Sequence, residues 1–286
     1  MKVKLLADSA SDLSSKLYEK LQVELIPVHV FIGEDEYLDG VTVKPEEMYG
    51  RMRQGERVTT SQPSPEAFKK AFLESAKTNT PLIYFALSAT LSGTYNSAKI
   101  MEREIKEEYP EAPIHIIDTG CVSLGYGLVI IRVARLAKKG ASIEDIIEIG
   151  SYHARHMEHI FTVDDLEYLH RSGRLSRAVS IIGSLLRIKP ILHIQEGNLE
   201  LTDKVRGSKR VLNKLIEMAK TRGKDFENQT VGIIHADNES LAEQLKKLVI
   251  EKLGAKDVIT QPLGAAVGAH AGPGVIALTF LNNKFK

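Results

Sequence analysis

The residues able to do chemistry in this chain gather in hydroxyl-rich turns. The segment Ser88 to Thr94 carries hydroxyls at Ser88, Thr90, Ser92 and Thr94, beside Gly93, whose missing side chain admits close backbone approach. A second cluster runs from Thr59 through Thr60, Ser61, Gln62 and Pro63 to Ser64 and Pro65. Hydroxyls beside the unpaired N–H groups of a helix start suit a small anionic head, either a carboxylate or a phosphate. The same residues are also what ordinary helix caps are made of. A third segment, Gly264 to Gly274, sets His270 among four glycines and a proline, and reads as a tight, low-bulk turn before a final strand. A histidine there can donate to a carboxylate or take part in proton transfer.

Other chemistries lack support. No G-x-G-x-x-G, G-x-x-x-x-G-K-[ST], H-E-x-x-H or G-x-S-x-G motif is present, and no base is evident beside a serine nucleophile. His153, His156 and His159 are spaced by three, which on a helix spreads them over a broad arc, so no metal site is expected. Cys121 is the single cysteine. It permits neither an internal disulfide nor a zinc cluster and points to a reducing, cytoplasmic setting. Arginines and lysines recur at 171, 174, 177, 187, 189, 204, 206, 209 and 210. They form either a solvated face or a docking surface for an acidic partner or nucleotide phosphates.

These residues need a scaffold. The chain has 286 residues, 43% of them hydrophobic, with 38 Lys+Arg against 37 Asp+Glu. A net charge of +1 argues against a protein that lives mainly by bulk attraction to nucleic acid or an anionic membrane and leaves room for local basic patches. The N-terminal apolar run is cut at Asp8, and the run from Gly127 to Ala137 carries Arg132 and Arg135, so no stable membrane insertion is expected. In the first half, apolar runs at Val3–Ala7, Leu25–Phe31, Leu82–Leu87 and Ile114–Ile117 alternate with helical patterns. Ser64-Pro65-Glu66 and Ser142 are good helix starts. Strand and helix in turn predict a parallel α/β sheet. The second half differs: Pro190–Gln195 and Asn198–Val205 flank Glu196-Gly197 as a β-hairpin, with helices over 208–221 and 239–253. The expected fold class is α/β with two domains. Residues 1–157 form a parallel α/β domain, and residues 158–286 an α+β domain with a mixed or antiparallel sheet.

Six segments then carry a family resemblance: Asp8 to Asp12, Thr60 to Ser64, Leu91 to Asn96, Gly173 to Ser176, His235 to Asp237, and His270 to Gly274. In that order they resemble the DegV family of bacterial fatty-acid-binding proteins, which serve as subunits of fatty acid kinase. Ala10 stands where many members have threonine. The resemblance implies one long-chain fatty acid, such as palmitate, stearate or oleate, held in an internal tunnel, with no other cofactor. It implies that Thr60, Ser92 and His270 bind the carboxylate, supported by Ser61 and Gly93, with no buried arginine at the head. It implies that a partner kinase catalytic subunit forms the acyl phosphate, with this chain a carrier and not a catalyst; the basic stretch around Arg174 and Arg206 is then the expected contact for that kinase. Two alternatives stand beside it. One is a phosphotransferase or hydrolase using Ser92 and His270 on a small anionic metabolite, and the other a nucleic-acid-binding regulatory module.

Overall fold

A computed structural model describes residues 3–175 and 188–285; Ser176, Arg177 and Arg187 lie outside the described residues. The first half contains Lys4–Asp8 (β1), Ser15–Leu21 (α1), Val23–Ile26 (β2), His29–Ile32 (β3), Asp35–Leu38 (β4), Pro45–Arg53 (α2) and Val58–Ser61 (β5). Pro65–Thr78 (α3), Leu82–Ala86 (β6), Thr94–Glu108 (α4), Ile114–Asp118 (β7), Ser123–Lys138 (α5) and Ile143–Arg155 (α6) follow. Four strands make a parallel sheet in the order β2-β1-β6-β7. Leu5, Ala7, Ile83 and Phe85 pack on the α5 and α6 side, while Leu6, Leu82, Tyr84 and Ala86 pack against α3 and α4. Burial on both faces is why these strands appear as unbroken apolar runs.

The second half contains Met157–Thr162 (β8), Glu167–Arg171 (α7), Ile188–Gln195 (β9), Asn198–Arg206 (β10), Ser208–Arg222 (α8), Thr230–His235 (β11), Glu239–Leu253 (α9), Asp257–Pro262 (β12), Ala265–Ala271 (α10) and Ile276–Leu281 (β13). Its sheet runs β10-β9-β8-β13-β11-β12, parallel between β11 and β12 and antiparallel elsewhere. Side chains alternate across it. Ile160, Ile276, Leu278 and Phe280 join the core beneath α8 and α9. His159, Phe161, Ala277 and Thr279 face the other way and line a cavity shared with the first half.

Two expectations are corrected. The run Leu25–Phe31 is not one strand: β2 and β3 are separate and belong to different sheets. Pro27 lies between them, where a residue with no N–H interrupts the ladder. β3 instead centres an antiparallel sheet, β4-β3-β5, that sequence periodicity did not anticipate. The segment Gly264–Gly274 is not a simple turn either, because it contains α10. Gly264 makes no side-chain cap; Asp39 in the first half accepts the Ala265 N–H at 2.8 Å instead. The Tyr49 hydroxyl donates to the Leu263 carbonyl at 2.9 Å, so α10 is held from the other half of the chain.

The β9–β10 hairpin closes over the first half. Glu196 and Gly197 both have positive φ, the conformation a two-residue hairpin turn demands. A Cβ on Gly197 would lie 2.8 Å from both Ser88 Oγ and Thr90 Oγ1. Gly254, with φ of +72° against +78° at Gly197, would meet nothing within 4 Å. Gly254→Ala therefore carries backbone strain alone, about 1 kcal/mol. Gly197→Ala adds the overlap, for a total loss of roughly 2–4 kcal/mol. Paired thermal melts check this, and equal losses in the two variants would show that the hairpin tip does not bear on the Ser88–Thr90 turn.

Candidate functional site

A cavity of about 730 Å³ lies where the halves meet, within the size range of small-molecule sites. Its position follows from topology. In a parallel sheet all strands end at one edge, and ligands bind beyond that edge. Ala10, Leu87 and Val122 follow β1, β6 and β7 in turn, and all three line the cavity. The β1 turn is fixed by Asp8, whose buried carboxyl accepts from the Tyr84 hydroxyl at 2.6 Å and the Ala10 N–H at 3.1 Å. Burial lifts this carboxyl to about 6, against the pull of the Tyr84 hydrogen bond.

The polar part of the wall is compact. Thr60 at the end of β5 and His270 near the end of α10 are hydrogen-bonded, Oγ1 to Nε2, at 2.8 Å. Ser92 Oγ lies 2.9 Å from Thr94 Oγ1 and accepts the Thr94 N–H at 3.3 Å, capping the start of α4. Ser61, Gly93 and Thr94 line the same wall. A Cβ on Gly93 would overlap the end of the Gln62 side chain, so the two residues lie in close contact. Gln62 in turn accepts from the Ser97 hydroxyl through Oε1. Hydroxyls, a neutral imidazole and the positive end of the 15-residue α4 converge on one volume.

Arg174 is placed differently from the expectation. It lines the cavity and is half-buried, with Nε donating to the Leu91 carbonyl at 3.2 Å and Nη1 to the Ser172 carbonyl at 2.6 Å. Those two backbone acceptors turn the guanidinium inward. Arg206 lies exposed on β10, with Lys204, Lys209 and Arg210 also exposed nearby. A head site without an arginine is thus corrected: Arg174 borders the cavity and acts on His270.

Burial, and then the Arg174 charge, hold His270 down to about 4, so it is neutral at physiological pH. Both causes oppose the imidazolium that a general base must become. Ser92 pairs with Thr94, and His270 with Thr60, so the serine–histidine pair required by the hydrolase alternative is not formed. His153, His156 and His159 separate: the first lies in α6, the second closes that helix on Asn282, and the third enters the cavity wall on β8. Among the described residues no group of three or more His, Cys, Asp or Glu is arranged to hold a metal ion. Among them, too, no helix is long and apolar enough to cross a membrane. Cys121 is buried, and burial pushes its thiol up, as for a structural cysteine.

Away from the polar cluster the wall is apolar: Leu169, Ile194, Leu199, Ile234 and Leu263 join Phe161 and Ala277. A largely apolar cavity that also holds a hydroxyl-rich cluster fits an amphiphile. The model of the DegV family, described as uncharacterised proteins, matches residues 2–283. The chain belongs to the DegV family. A DegV domain-containing protein of Clostridium perfringens is 36% identical over 279 residues, covering 96% of each chain. Among solved structures, a fatty-acid-binding DegV family protein from Thermus thermophilus aligns with a TM-score of 0.89 and 28% identity, covering 98% of this chain and 100% of that one. A stearic-acid-binding protein from Eubacterium ventriosum aligns with a TM-score of 0.86 and 27% identity over 97% of both chains. In this DegV chain the motif residues Thr60, Ser61, Ser92, Gly93 and His270 all border one cavity. Sequence reasoning missed the inward turn of Arg174 and the part of the wall formed by His159 and Thr279.

Proposed function

We propose that this protein binds one long-chain fatty acid in the cavity and presents its carboxylate at the Thr60–Ser92–His270 end to a partner kinase, which forms the acyl phosphate. The observation that carries the reading is a cavity of about 730 Å³ that joins the Thr60–Ser92–His270 cluster to a largely apolar wall. The fatty-acid-binding and stearic-acid-binding DegV neighbours support it. The two lobes divide at 157/158, and the ligand lies between them.

Energetics divide the labour. Burying about 14 to 16 methylenes at ~0.8 kcal/mol each is worth roughly 11–13 kcal/mol gross. A head-group hydrogen bond adds about 0.5–3 kcal/mol, the upper end for a charged acceptor. The tail supplies affinity, while Thr60, Ser92 and His270 orient the head. Arg174 supplies a charge at the cavity edge and still leaves the carboxylate accessible. The chain itself performs no phosphoryl transfer in this scheme.

His270 reports the head directly. In the empty protein its ring stays neutral down to about 4. A carboxylate beside it favours the imidazolium, so bound acid moves the value upward. The sign also requires proton uptake when the acid binds at mildly acidic pH. Nuclear magnetic resonance titration of the imidazole with and without palmitate tests this, using the matching fatty alcohol as the neutral control. An unmoved His270 with palmitate bound would place the carboxylate elsewhere.

The exposed Arg206, Lys204, Lys209 and Arg210 are the docking face for the kinase. Arg206→Glu is expected to slow acyl-phosphate production at least tenfold and leave the lipid content unchanged. Unchanged turnover would remove this face from the docking scheme.

A further inference from the structure

α10 carries His270 to the ligand head, yet it is gripped by the other half of the chain. It packs against α2, β3 and β5 as well as against α7. Its first N–H groups meet two buried carboxylates. Asp39, between β4 and α2, accepts the Ala265 N–H at 2.8 Å and is stabilised further by the Ala266 N–H and the Ser9 hydroxyl. Asp12, in the turn after β1, lies against Gly264, where a Cβ would come within 2.4 Å of Oδ1. Its other oxygen accepts from the Ser123 hydroxyl. Gly264 has φ of −64°, open to any residue, so the carboxylate and not the backbone excludes a side chain there. A Cβ on Gly268 would overlap the Tyr49 hydroxyl, which itself donates to the Leu263 carbonyl at 2.9 Å. At the far end of the helix His270 meets Thr60.

The carboxylate pair is a costly way to cap a helix. Burial, and then the neighbouring Asp39 charge, hold the Asp12 carboxyl well above the usual range, and burial lifts Asp39 to about 6. A single hydroxyl at Gly264 would satisfy the same N–H groups locally. A local cap would leave α10 free to shift against Thr60. Asp12 and Asp39 come instead from two separate segments of the first half, so they fix where the helix starts relative to β5.

We propose that Asp39, together with Asp12, is a positioning residue for the ligand head, setting the place of the His270 ring through α10. Its effect on turnover rests on the fatty-acid reading of the cavity; its effect on the ring does not. The test is the titration of the His270 imidazole by nuclear magnetic resonance in lipid-free Asp39→Ala, beside acyl-phosphate production with added kinase and ATP. Removing a negative charge by itself favours the neutral ring and would move His270 further down. Releasing α10 lets water reach the ring, so the value is expected to rise from about 4 toward the ordinary value of about 6.5. Turnover per bound lipid is expected to fall at least tenfold, as for a misplaced catalytic contact. Asp39→Asn, which keeps an acceptor for the Ala265 N–H, should return both readings close to those of the natural sequence. A purely structural cap would lower the melting temperature of Asp39→Ala and leave His270 where it was. Should Asp39→Ala fail to fold, Gly264→Ala displaces the Asp12 carboxylate with every charge in place, and is expected to raise the His270 value in the same direction. If His270 is unmoved or lowered in the folded variants, the positioning role is overturned. If His270 rises while the natural protein takes up no fatty acid, the positioning role stands and the fatty-acid reading falls.

Discussion

Ala277→Phe is expected to leave the protein folded and without bound lipid. Ala277 is 9% exposed, sits in the cavity wall and stands opposite Phe161 in the strand register. A second phenyl ring at that level closes the path along β13. Displacing about five methylenes removes roughly 4 kcal/mol, a loss of affinity on the order of a thousandfold. The effect on the fold separates a cavity from an ordinary core. In a filled core the added ring costs about 1–3 kcal/mol through overpacking. In an empty slot it fills space and leaves the melting temperature of the lipid-free protein equal or higher. Calorimetry and palmitate titration on the same preparation read both quantities. A destabilised variant that still binds palmitate would mean that the chain does not run along β13.

The second large effect is at the head. Ser92→Ala is expected to reduce acyl-phosphate formation by added kinase and ATP roughly a hundredfold or more, the cost of losing one well-placed donor. Retention of the acid should fall by no more than about tenfold, because tail burial dominates the affinity. Ser92 Oγ also accepts the Thr94 N–H, so the variant loses a cap worth about 1 kcal/mol, which a melt quantifies separately. Lipid content by mass spectrometry and acyl-phosphate production are measured on the same sample. A variant that purifies empty would show that the head holds the ligand, contrary to the division proposed here.

Local signals in the sequence were read accurately where the structure uses local interactions. Ser64 and Ser142 cap α3 and α6 by accepting from Ala67 and Asp145, three residues on in each case. Glu196-Gly197 turns the hairpin with both residues at positive φ, for which Gly197 supplies the local signal. β6 is apolar and buried throughout, and β1 has the apolar run Leu5–Ala7, because both faces of these two strands are covered. What escaped depends on partners far away in the chain. The cap of α10 comes from Asp39, 226 residues earlier, so Gly264–Gly274 carries no local mark of a helix. Arg174 sits among other basic residues and looks like one of a surface cluster. Only the Leu91 and Ser172 carbonyls turn it inward.

The site was legible in part for the same reason. Hydroxyls in strand-to-helix turns can be expected at a ligand head from chain direction alone, and Ser92 lies in such a turn, whereas Thr60 reaches the cavity from within β5 of the antiparallel sheet. The tail wall has no such signature. Phe161 and Ala277 alternate with Ile160 and Leu278 as in any strand buried on both sides. Which face stands clear of its neighbour is decided by how the six-stranded sheet meets the ends of β1, β6 and β7, a tertiary property.

The most direct test of the central claim is mass spectrometry of the solvent extract from freshly purified, natively folded protein, with the protein quantified in the same sample. The account predicts about one long-chain fatty acid per chain, displaced stoichiometrically when a labelled acid is added. An extract without lipid, from protein that takes up neither palmitate nor oleate, would contradict it.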